Sequence, residues 1–173
     1  MGTLLGLGAH IRAGQETPRA GRRPRVKNEA ASGGAFEGDA LEGDDFDAEL
    51  FERLGAAGLL HLGAELFHKG QYHAAHEAWE QSWLAGMDDD EFWKGLIQAA
   101  ICLHHFERGE LDGARKLYQG HRRLLAGFCP EHRELKVEAF LAEMSRCLRP
   151  VVRAAPTETV AFDGATAPRL QFL

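Results

Sequence analysis

From Asp47 to Leu148 the chain carries a single proline, Pro130, and its apolar residues recur three and four positions apart. Proline removes a helical hydrogen bond and clashes with the preceding turn, so a long stretch nearly free of it, with that period, restricts the fold to helices packed on one another. The spacing predicts an all-α protein with five helices, near residues 47–68, 72–86, 89–107, 111–127 and 131–148. Gly70 and Gly109 fall just past helix ends, where a left-handed residue closes the last turn. Asp88 or Asp89 is placed to cap the third helix, and Pro130 sits where the first turn of the fifth would be.

The flanks read differently. Residues 1–45 are rich in glycine and poor in bulky apolar residues, with Arg12, Arg19, Arg22, Arg23, Arg25 and Lys27 followed by Glu37, Asp39, Glu42, Asp44 and Asp45. Such a segment buries too little surface to offset the entropy of ordering it, so it reads as a disordered arm. Residues 46–149 form the helical bundle domain, and residues 150–173, with three prolines, an extended C-terminal tail that packs Phe162 or Phe172 on the bundle.

Several function classes are disfavoured. The apolar run Leu4–Ile11 is far shorter than the roughly 20 residues a membrane span needs, and no basic residue precedes it as in a secretory signal. Cys102, Cys129 and Cys147 are odd in number and share no C-x-x-C spacing, which fits neither a disulfide framework nor a thiolate zinc site. The expected location is cytoplasmic. A formal net charge of -6 disfavours nucleic acid, except through the basic arm.

The middle of the chain repeats itself. "FHKGQYHAAHEAW" from Phe67 aligns with "FERGELDGARKLY" from Phe106, an offset of 39 residues. Each copy reads as helix, glycine turn, helix, with Ala75 and Ala114 as the small residues that let two helices approach. The pattern is similar to a tetratricopeptide repeat, whose period is about 34 residues. Two copies are too few for a solenoid, so the expected shape is a compact antiparallel bundle of two such hairpins plus a flanking helix.

At about 100° per residue, Tyr72, His76, Trp79 and Trp83 share one face of the second helix, with Glu80 one turn beyond His76 and Glu77 turned away. On the third helix, Phe92, Leu96, Ala99, Leu103 and Phe106 form one apolar stripe, and Trp93, Ile97, Ala100 and His104 a second beside it. Only a narrow polar edge with Gln98 and His105 remains. His104 is therefore expected to be buried and His105 to line an edge. The candidate buried polar site is His76, Glu77, Glu80, Gln98, His104 and His105, with Tyr72, Trp79, Trp83 and Trp93 as its aromatic lining.

"LFHKGQYHAAHEAWEQSW" and "FWKGLIQAAICLHHFERGELDGARKL" together resemble the domain of unknown function 309 family. Gly70, Tyr72, His76, Glu77, Glu80 and Trp83 match its first motif, and Gly95, Leu96, Ile97, Gln98, Ala100 and His104 its second, over residues 50–148. The "GEL" after Arg108 departs from the Gly-Asn of the family pattern. The resemblance implies an all-helical fold and brings no activity with it.

Function is then read from the site. The first reading is a binding or interaction module for a protein or peptide, in which the His/Glu network fixes the register of the hairpins. The alternative is a metal-binding or hydrolase-like enzyme in which His76, Glu80 and His104 hold a divalent metal or act as acid and base.

Overall fold

The computed structural model describes residues 47–173; the arm of residues 1–45 lies outside the described residues. Five helices follow one another: α1 Ala48–His68, α2 Tyr72–Leu84, α3 Asp90–Glu107, α4 Leu111–Leu125 and α5 Val137–Arg153. α1 opens on Asp47, whose carboxylate accepts from the Leu50 amide at 2.9 Å. It kinks at Gly55, which has φ 62°. Each helix packs on the next, and the fully buried Trp79, Trp93, Phe67, Phe92 and Phe140 fill the interior.

The sequence repeat is a repeat of backbone bonds. Gln71 N–H donates to Leu66 O at 3.0 Å in the first turn, and Glu110 N–H to His105 O at 2.8 Å in the second, pairs that differ by the same 39 positions. Both arise from helix ends closed by a left-handed glycine, Gly70 at φ 76° and Gly109 at φ 75°. Ala75 and Ala114 are fully buried, where only a small side chain fits between close helices.

Four helices begin and end within two residues of expectation. The fifth does not. It starts at Val137 instead of 131, because Arg133 and Glu134 take positive φ and a bridge between His132 and Leu135 folds residues 130–136 into a turn. Pro130, joined to Cys129 by a cis bond, precedes this turn and does not open the helix. α5 also runs past Pro150 to Arg153. Its last carbonyls have partners there: Arg115 of α4 donates to Val151 O and Ala154 O, both at 3.0 Å.

Asp89 explains the turn. It precedes α3, but its side chain makes no capping bond. Its carboxylate instead accepts from Arg133 Nε at 2.6 Å, His132 Nε2 at 2.7 Å and Trp93 Nε1 at 3.0 Å. Burial alone would raise the pKa of this carboxyl; the bonds from Arg133 and His132 outweigh it and hold the group below its ordinary value. One carboxylate thereby ties the loop before α3 to the loop before α5.

The tail closes the bundle. Phe162 packs edge-on between Tyr72 and Phe106, at 6.0 and 5.2 Å, bridging the two hairpin turns. Phe172 stacks on His61 at 4.4 Å, and the Leu170 amide donates to His68 Nε2 at 2.9 Å. That bond requires an unprotonated nitrogen, and burial together with the nearby Arg169 charge lowers the His68 pKa.

Candidate functional site

His76 and Glu80 lie on the buried side of α2, 2 % and 5 % exposed, because the apolar stripe that carries them is pressed onto the rest of the bundle. His76 Nε2 is 3.6 Å from Glu80 Oε2, the i,i+4 pair expected on one helix face. Glu77 points outward and meets His73 at 3.6 Å. His73 is the residue that sequence reasoning passed over. Its ring stands edge-on to His76 and to His104, at 5.7 Å from each, so it links α2 to α3. His105 follows at 6.4 Å from His104 and donates from Nδ1 to Glu110 at 2.6 Å. Four imidazoles thus follow one another, the first buried and the other three partly exposed.

His104 is half-buried, not sealed as expected, because the second hairpin turn begins at Arg108 and opens that end of the helix. Burial, followed by the neighbouring His73, Arg108 and His105, lowers its pKa and favours the neutral ring. The Glu110 carboxyl is lowered by bonds from Arg108 and His105.

Two expected members face elsewhere. Gln98 and His105, seven residues apart, share the face of α3 that meets α4, where Gln98 presses on Gly120 and His105 on Gly113. Only small residues opposite leave room for them. The aromatic lining is also dispersed. Tyr72 packs on Phe67 and Phe162, Trp79 donates to Leu60 O at 3.2 Å, Trp83 lies under Lys94, and Trp93 sits in the Asp89–Arg133 corner. Among the described residues, no three His, Cys, Asp or Glu side chains converge as a metal ion requires. The proposed ligand set His76, Glu80 and His104 is not assembled, because His104 leaves the helix face toward His73 and the surface.

A family model for a domain of unknown function (DUF309) matches residues 60–117. Residues 60–117 are therefore similar to that family. The match begins within α1 and ends within α4, so it holds both hairpin turns and the whole imidazole row, but not α5 or the tail. It is shorter than the 50–148 expected from the motifs. No curated protein and no solved structure matches the chain.

Within the matched segment, His76→Ala is expected to lower stability by about 1–3 kcal/mol, since it takes a polar neighbour from the buried Glu80. Urea unfolding at neutral pH measures it. A loss below about half a kcal/mol would show that the pair does not hold the hairpins.

A cavity among the described residues lies on another side. It measures about 520 Å³, between α4 and α5, lined by Gln119, Arg122, Arg123, Ala126, Leu141, Ala142 and Ser145. No motif pointed to it, because its two walls come from helices that meet only in the fold.

Proposed function

We propose that the protein is a cytoplasmic binding module for a protein or peptide, in which the His/Glu network serves as architecture. The observation that carries this reading is the contrast between the two places. His76 and Glu80 are closed off from solvent, whereas the α4–α5 groove is open and mixes cationic, polar and apolar walls. Substrate cannot reach the first without unpacking α2 from α3, and a partner reaches the second without any rearrangement. The tetratricopeptide-like hairpins fit a scaffold that presents such a face. Free thiols at Cys102, Cys129 and Cys147 accord with a reducing compartment. No helix of the described residues is long and apolar enough to cross a membrane.

A photo-crosslinking residue at Gln119, in the groove, is compared with one at the exposed Glu52 of α1. Discrete adducts from position 119 alone are expected in cell extract. The same adducts from both positions, or none from either, would overturn the reading.

A further inference from the structure

Four of the ten arginines among the described residues are paired with carboxylates. Arg108 pairs with Glu110, Arg115 with Asp112 and two α5 carbonyls, Arg133 with Asp89, and Arg146 with Glu143. Arg122 and Arg123 are not. Both are exposed, both line the α4–α5 groove, and among the described residues neither has a carboxylate partner. No lining residue is acidic.

The groove is also organised. The Arg122 guanidinium lies over the Tyr118 ring at 5.2 Å, which steadies its stem. Tyr118 Oη–H donates to Ser145 Oγ at 3.1 Å, which ties the α4 wall of the groove to the α5 wall. Two cations therefore stand on the α4 wall, facing the Ser145 hydroxyl and the apolar Leu141 and Ala142 of α5.

We infer that this groove takes an acidic peptide segment, its carboxylates on Arg122 and Arg123 and one apolar side chain on Leu141. The inference deepens the binding-module reading and rests on it. Charge complementarity selects the occupant, since guanidinium pairs with carboxylate through charge-assisted and often bidentate bonds. Shape selects a peptide over a small molecule. Small ligands are held in sites that enclose most of their surface, and a groove open to solvent between two helices suits a chain laid along it.

The test uses the full chain and a fluorescent peptide of about 12 residues in which glutamates alternate with leucines at helical spacing, read by anisotropy. An all-glutamate peptide, a lysine counterpart and phenyl phosphate as competitor are the other arms. The amphipathic acidic peptide is expected to bind, to weaken as salt rises, and to lose at least about tenfold in affinity with Arg122→Glu plus Arg123→Glu and with Leu141→Asp. The milder pair Arg122→Gln and Arg123→Gln, checked by circular dichroism melting, separates lost charge from lost fold. Equal affinity in the charge variants, equal binding of the all-glutamate peptide, or binding of phenyl phosphate alone would each overturn the assignment. A partner crosslinked from position 119 equally well in the charge-reversed variant would overturn it too, while leaving the binding-module reading intact.

Discussion

Gly63→Ala is expected to destabilise the fold by about 3 kcal/mol and to lower the melting temperature by about 10 °C. In an isolated helix the substitution would help by up to about 1 kcal/mol, because glycine is the poorer helix former. Here a methyl group at Gly63 would overlap the Trp79 indole, meeting Nε1, Cε2 and Cδ1 together. That ring is fully buried and its Nε1–H is committed to the Leu60 carbonyl. It therefore has neither space to retreat into nor a second partner to turn to. Overlap wins over propensity. The double variant Gly63→Ala, Trp79→Phe should recover part of the loss, since a smaller ring tolerates the methyl group, and a double-mutant cycle reads that coupling. A Gly63→Ala protein within about half a kcal/mol of wild type would show that α1 and α2 are not in this contact in solution.

The second large effect is a loss of stability in mild acid that traces to His121. This ring is fully buried in α4; Nδ1–H donates to Leu117 O at 3.1 Å, and Nε2 has no hydrogen-bond partner among the described residues. Burial pushes its pKa down to about 4 from 6.5, with the Arg122 charge adding to the shift. The folded protein thus refuses a proton that the unfolded chain accepts. The stabilisation is complete above pH 6.5 and is lost as pH falls toward the folded value, about 2 kcal/mol of it between pH 7.5 and 5. His121→Leu removes the titrating group and the orphaned nitrogen together, so its stability should fall less over that interval by about the same 2 kcal/mol. Urea unfolding of both proteins at the two pH values gives the difference. Parallel losses in wild type and variant would assign the acid sensitivity to other groups, of which His68 and His104 shift in the same direction.

What could be read from the chain and what could not divide along sequence distance. The stripe of Tyr72, His76 and Trp79 repeats every turn, so its burial follows from periodicity alone. The 39-residue repeat was legible because each copy closes its own turn with its own glycine. The start of α5 was not, since the turn at 130–136 depends on Asp89, which lies 43 and 44 positions from His132 and Arg133. His73 stood one turn from His76 but off the aromatic face, and only the arrival of His104 from α3 gives it a role. The Arg122–Arg123 groove had no local signal either. Two arginines in sequence read as a solvated helix end until α5 supplies Leu141 and Ser145 opposite.

The strap formed by the last described residues sets an order of events during synthesis. His68 belongs to the hairpin of α1 and α2, yet the amide it accepts from, Leu170, lies 102 positions later. Tyr72 and Phe106 likewise wait for Phe162 to cover them. Until residue 162 has emerged the nascent hairpins carry an uncovered aromatic seam, so a chaperone that recognises exposed rings has a window in which to hold this chain, and that window shuts when the tail docks.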